Sequence, residues 1–285
     1  MRRLLALCLA ALTSTAAVAD SPPEWTRPTE PFRIVGPIHY VGTEGIGVYL
    51  IRTNAGAIVI DSGPAEAAPI VERNIAKLGL KLSDVKILLA THAHWDHVAG
   101  MARLKRDTGA RFLASAGDRR ALDSGTPPSD TNYGVAKFAP VKVDGLVTDG
   151  RPVRLGDVSL TPVLTPGHTP GCTSWSLQVT EKGRPLNVFF PCSLSVAGNK
   201  LVGNKGYPGI IGDYRKTFAR LRGMKADVVL PAHPELADVL ARARRRNAGD
   251  DAAFINASTL PTMVADFSTA FDQELRKQTR SARRR

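Results

Sequence analysis

The segment Thr91-His92-Ala93-His94-Trp95-Asp96-His97 gathers three of the chain's six histidines and a carboxylate into one short run. Neutral imidazole nitrogen and carboxylate oxygen are the donors that hold zinc. Side chains two apart face the same way only on extended backbone, so His92 and His94 leaving a strand would share one point; on a helix they would diverge. The adjacent Asp96-His97 pair is one group more than a single tetrahedral ion takes from so short a segment, which points to two ions. Two more histidines stand where strand patterns end, His168 in Thr165-Pro166-Gly167-His168-Thr169-Pro170-Gly171 and His233 in Pro231-Ala232-His233-Pro234. His39, beside Tyr40 in an early strand pattern, reads as structural. Asp61 closes an apolar run just before a helix; it is either a turn or N-cap aspartate or a carboxylate that orients a metal-bound histidine from behind.

These side chains need strands to carry them. The apolar run 85–90 leads straight into the histidine cluster, and short strand patterns occupy 32–35, 47–52 and 57–61, with Thr53-Asn54-Ala55-Gly56 as a turn. Helices are expected over about 65–78, 98–108, from 116 onward, 213–222, 235–247 and 258–278. Further strands are expected over 111–114, 155–164 and 227–230. The stretch 124–139 is rich in Pro, Ser, Asp, Asn and Gly and reads as a loop. Tyr133 is its one large amphipathic residue and either overhangs a cleft and touches substrate or packs on its own loop. Residues 193–212 form another loop, bearing Ser193, Ser195, Asn199, Asn204 and Lys205.

Residues 172–180 and 185–192 form a hairpin pattern around Glu181-Lys182-Gly183-Arg184. Centred near Lys182, that hairpin sets Cys172 opposite Cys192. Cross-strand Cα atoms lie ~4.5–5.5 Å apart, inside the ~4.4–6.8 Å a disulfide requires. A bond between them would contribute about 3 kcal/mol by loop closure. The rival reading makes Cys192 a zinc-ligating thiolate, and a mass measurement of the unreduced protein separates the two.

Met1-Arg2-Arg3, an apolar run from Leu4 to Leu12 and the small residues Ala17-Val18-Ala19 have the pattern of a signal peptide, so residues 1–19 are expected to be removed, Cys8 with them. The run is too short to span a bilayer. Residues 20–31 hold four prolines and little periodicity and read as a mobile lead-in. The remainder, 32–285, is expected to be a single domain with a basic C-terminal tail. Its length suits one layered α/β fold with a sizeable core. The net charge of +12 invites a nucleic-acid partner, but much of it is concentrated at 242–246 and 276–285, where it reads as a solvated helix face and a frayed tail. No nucleic acid and no stable membrane insertion are therefore expected.

In order and spacing, Asp61, His92-x-His94-x-Asp96-His97, His168 and His233 resemble the metallo-β-lactamase superfamily across nearly the whole mature chain. The resemblance implies an α/β fold, the αββα four-layer sandwich with two mixed sheets face to face and metals at one edge. Hydrolases such as glyoxalase II carry a bridging aspartate between the last two histidines, whereas 187–200 contains no acid. The B1-type enzymes use a cysteine ligand there. Pro191-Cys192-Ser193-Leu194-Ser195 is most similar to the third subclass of class B β-lactamases, where serines occupy the site, although many relatives have aspartate in place of Cys192.

The resemblance places two zinc ions per chain, the first on His92, His94 and His168, the second on Asp96, His97 and His233. It implies hydrolysis of the β-lactam amide of penicillins, cephalosporins and carbapenems by a metal-bound hydroxide, with Asp96 helping to orient the nucleophile. Two zincs, one aspartate and one hydroxide leave a site charge of about +2, suited to a substrate carboxylate, for which Ser193 and Ser195 are the candidate hydroxyls. The alternative is another metallohydrolase of the same fold, acting on a lactone, thioester or phosphoester. The protein so described would be periplasmic, monomeric and partnered only by its small-molecule substrate.

Overall fold

A computed structural model describes residues 22–127, 129–132, 134 and 136–284. The expected signal peptide, Cys8 and Tyr133 lie outside the described residues. Two sheets stack face to face. The first has seven strands in sequence order: β1 (Phe32–Arg33), β2 (Ile38–Tyr40), β3 (Tyr49–Thr53), β4 (Gly56–Ile60), β5 (Val85–Leu89), β6 (Arg111–Ser115) and β7 (Gly145–Val147). Its first four strands are antiparallel and the rest parallel. The second has five strands, β8 (Val153–Leu155), β9 (Val158–Leu164), β10 (Thr173–Glu181), β11 (Arg184–Phe190) and β12 (Val228–Val229), with only the β11–β12 pair parallel.

Strand periodicity decides which residues meet. Ile58 and Ile60 of β4, Ile87 and Leu89 of β5, and Trp175, Leu177 and Val179 of β10 pack into one core between the sheets. The alternate residues Ala57, Val59 and Leu88 turn outward against α2 (Ala68–Lys77), α4 (Met101–Thr108) and α5 (Ala116–Ser124), contributed by Val71, Ile75, Leu104 and Leu122. On the far face, Val163, Phe189 and Val229 pack against α6 (Ile210–Arg222) and α8 (Thr259–Arg283). The layers are thus α, β, β, α, as the resemblance implies. Each fully buried Ile or Leu contributes roughly 1.5–3 kcal/mol, so both faces of each sheet must be covered. Among the described residues, no helix is long and apolar enough to cross a membrane.

Three expectations differ from the structure in detail. The hairpin turns at Lys182 and Gly183, both at positive φ (50° and 79°), so Glu181 pairs with Arg184 and Trp175 with Phe190. This two-residue turn shifts the register by one. Cys172 and Cys192 fall just beyond the ladder rather than opposite each other within it, yet their Cα atoms are 5.8 Å apart and they are disulfide-bonded. The basic stretch 276–283 continues α8 as helix instead of fraying.

The described part of the lead-in is packed. Residues Pro23–Thr26 form α1, Gly45 N–H donates to Glu24 O and Thr43 Oγ1 to Trp25 O, and Arg27 pairs with Glu44. Its prolines set local backbone geometry without preventing a single aromatic, Trp25, from anchoring the segment.

Candidate metal centre

Every candidate ligand leaves the C-terminal end of a strand at one edge of the sandwich. Parallel β4 and β5 end side by side at Ile60 and Leu89, delivering Asp61 and the 90–94 segment, and α3 (Trp95–Val98) then carries Asp96 and His97. The β9–β10 pair closes at Leu164 and Thr173, which presents the His168 turn. Parallel β11 and β12 are in register at Phe189 and Val229, so Pro191-Cys192-Ser193 and His233 emerge together. Thr173 N–H donates to Thr91 O across the two sheets at 2.8 Å, and Gly47 N–H to Ala232 O at 2.8 Å.

The six side chains converge as two overlapping groups. His168 Nε2 is 3.1 Å from His92 Nε2 and 2.9 Å from His94 Nδ1. Asp96 Oδ2 is 3.1 Å from His97 Nε2 and 3.5 Å from His233 Nε2. All but His233 are buried. His39 lies apart on β2, its Nδ1 3.1 Å from Pro37 O.

Hydrogen bonding fixes the imidazole tautomers and tests whether a cation fits. His168 Nδ1 is 2.8 Å from Ser195 O, so Nδ1 carries the proton and Nε2 a lone pair. Thr91 Oγ1 donates to Asp61 Oδ2 at 2.7 Å and lies 3.1 Å from His92 Nδ1, so it accepts from that nitrogen and His92 Nε2 is also a lone pair. Two lone pairs facing each other at 3.1 Å repel unless a cation stands between them. His94 Nε2 is buried without a hydrogen-bond partner among the described residues, and His97 meets carboxylates on both sides, Asp96 Oδ2 at 3.1 Å and Asp61 Oδ2 at 3.6 Å, an arrangement that a bound cation would satisfy. A three-imidazole group beside an aspartate-and-two-imidazole group matches zinc's donor preferences.

The electrostatics agree. Burial holds His92 and His168 well below the usual imidazole range and takes His94 down to about 4, so all three stay neutral. Burial alone would raise Asp96, but the neighbouring His97 and His233 hold it well below the usual carboxylate range. Burial would likewise lower His97; Asp96 and Asp61 outweigh it and lift the ring to about 10. The proton this ring holds is the charge a cation would replace.

Asp61 sits at φ 64°, a left-handed conformation that aspartate tolerates better than most residues. Its Oδ1 accepts from Thr91 N–H at 2.7 Å, and its Oδ2 is 3.6 Å from His97 Nδ1. Ser193 and Ser195 line the cleft over the cluster with hydroxyls 3.0 Å apart, and the two cysteine sulfurs lie behind His92.

Two residues carry no signal of their role in the sequence. Trp25 lines the same cleft, its ring 5.5 Å from those of Trp95 and His233. A lone tryptophan among prolines does not announce this. Asp118, in the first turn of α5, is buried and accepts from Ala93 N–H, Thr169 Oγ1 and Gly171 N–H at 2.8–2.9 Å. Burial raises its carboxyl to about 6 against the opposing pull of these donors. From sequence it is indistinguishable from a helix-start aspartate.

Comparison with known proteins places the geometry in a family. The model of the metallo-beta-lactamase superfamily matches residues 42–233. The chain is similar to the structure of BJP-1, a subclass B3 metallo-beta-lactamase of Bradyrhizobium japonicum, with 43% identity and a TM-score of 0.87 over 91% of this chain and 98% of that one. FEZ-1 from Legionella gormanii is 35% identical, with a TM-score of 0.85 over 89% and 98%. A hydroxyacylglutathione hydrolase of Rhodopseudomonas palustris is 34% identical over 127 residues, 45% of this chain and 41% of that one. The chain thus spans about two fifths of the length of the curated relatives it matches.

Proposed function

We propose that this chain, which belongs to the metallo-beta-lactamase superfamily, uses two zinc ions to hydrolyse the amide bond of β-lactam antibiotics. The reading is carried by the extent of the likeness: the subclass B3 structure of BJP-1 aligns over 91% of the chain, the hydroxyacylglutathione hydrolase over 45%.

His92 Nε2, His94 Nδ1 and His168 Nε2 would hold one ion, and Asp96, His97 and His233 the other. When bound, zinc supplies an acidified water and a Lewis acid for the lactam carbonyl oxygen. The chain's own groups do the rest. Burial keeps His92, His94 and His168 neutral, so their lone pairs are available at neutral pH. Asp96 remains a carboxylate and accepts a hydrogen bond from the attacking water, fixing its orientation. Ser193 and Ser195 donate to the substrate carboxylate, while Trp25 and Trp95 form an apolar wall beside it. Water adds across the ring C–N bond: its oxygen joins the carbonyl carbon, and the departing nitrogen takes a proton. The first 19 residues direct export, and the single domain, to which the packed lead-in contributes Trp25, works in the periplasm.

The second reading, hydrolysis of a hydroxyacyl-glutathione thioester, draws on the curated likeness. Against it stands the lack of any acid in 187–200, where that class carries a bridging aspartate. Initial rates of the zinc-loaded protein on a penicillin, a cephalosporin, a carbapenem and a hydroxyacyl-glutathione separate them. Turnover of at least one lactam with slow thioester cleavage is the expected result; thioester cleavage alone would overturn the proposal.

A further inference from the structure

We propose that Asp118 is a positioning residue that clamps the His168 turn to the His92–His94 segment and so sets the affinity of the first ion. The inference rests on the ligand assignment above and deepens it.

The two pieces of chain come from different sheets and are far apart in sequence. Asp118 Oδ2 accepts from Ala93 N–H, between the two histidines, at 2.9 Å and from Thr169 Oγ1, next to His168, at 2.8 Å. Oδ1 accepts from Gly171 N–H at 2.8 Å. One rigid carboxylate therefore fixes both sides of the three-imidazole group. It forms no ion pair with a Lys or Arg among the described residues, so donors from these two loops stand in for water.

The surroundings are shaped for this contact. A Cβ on Gly117 would stand 2.5 Å from Pro170 O, and one on Gly171 would strike Asp118 N and Ser115 Oγ. Two glycines thus let the start of α5 press against the turn that presents His168. Ser115 Oγ adds a bond to Gly171 O at 2.6 Å. Ligands held this way keep their spacing before the ion arrives, and losing such an outer contact typically weakens metal binding 10–100-fold.

The test separates the ions by background. Zinc affinity is measured by competition with a chromogenic chelator in His233→Ala, which keeps the first set, and in His92→Ala, which keeps the second. Asp118→Asn, which sets an N–H₂ against at least one of three donors, should weaken zinc binding about 10–100-fold in the first background and less than about threefold in the second. Thr169→Val should act in the same direction more weakly, and Thr169→Ser should restore it; this pair decides the matter if Asp118→Asn does not fold. Unchanged affinity in the first background, or equal losses in both, would overturn the clamp. If His92→Ala and His233→Ala themselves leave zinc binding intact, the ligand assignment fails instead.

Discussion

His92 and His168 point unprotonated nitrogens at each other across 3.1 Å although 76 residues separate them. Each nitrogen is left bare because the opposite side of its ring is engaged, by Thr91 in one case and Ser195 in the other. The fold holds this repulsive contact ready for a cation, and three measurements probe the framework around it.

Zinc should stabilise the protein strongly. A ligand at 100 times its Kd adds about 2.7 kcal/mol per site, and in a domain of this size 1 kcal/mol moves Tm by about 2–4 °C. Chelation is therefore expected to lower Tm by roughly 5–10 °C per site. His92→Ala leaves a cavity in a buried site while removing a lone-pair repulsion, and should gain less from added zinc than the parent. Calorimetry of both proteins with and without chelator checks this; an equal zinc response would speak against His92 as a ligand.

Glu181 ties the N-terminal strands to α7 (Val239–Asn247). Its carboxylate accepts from Arg33, Arg246 and Gly36 N–H at 2.5–3.1 Å. Burial would raise its pKa, but these donors bring it from 4.5 to about 2. A depressed folded-state value means the contribution is present above pH 4.5 and lost as pH falls toward 2. At about 1.36 kcal/mol per unit it amounts to roughly 3 kcal/mol. Glu181→Gln should cost about that at pH 7, with the gap to the parent narrowing in denaturant melts below pH 4. A gap that stays constant with pH would contradict the assignment.

Gln278 near the end of α8 holds the loop beside the metal centre. Its Oε1 accepts from Leu201 and Val202 N–H, at 2.7 and 3.3 Å, and its Nε2 donates to Asn199 O at 3.0 Å. Asn199 Nδ2 in turn donates to His168 O at 3.1 Å. Each such bond is worth about 0.5–1.5 kcal/mol, so Gln278→Ala should speed amide exchange at Leu201 and Val202 by about tenfold. Global stability should fall by a similar amount, about 1–2 kcal/mol. Unaltered exchange at those two amides would show that the loop does not depend on the helix.

Much of this architecture is legible in the residues alone. Short apolar runs such as 85–90 announce buried strands, and histidines placed soon after three of them can meet only if the strands end at one edge. The hidden part depends on partners remote in sequence. Asp118 binds residues 25, 51 and 53 positions away, and its own neighbours say only that a helix begins. Trp25 acts through rings on other elements. The hairpin register turns on Lys182 accepting a positive φ, which no propensity for lysine foretells.

The central claim is that six side chains hold a pair of ions. Counting zinc by mass spectrometry of the native protein, and of His92→Ala and His233→Ala, tests it most directly. About two ions in the parent and about one in each variant are expected from ligand sets that each lose a member. A parent that binds a single ion, or variants that keep the full complement, would contradict it.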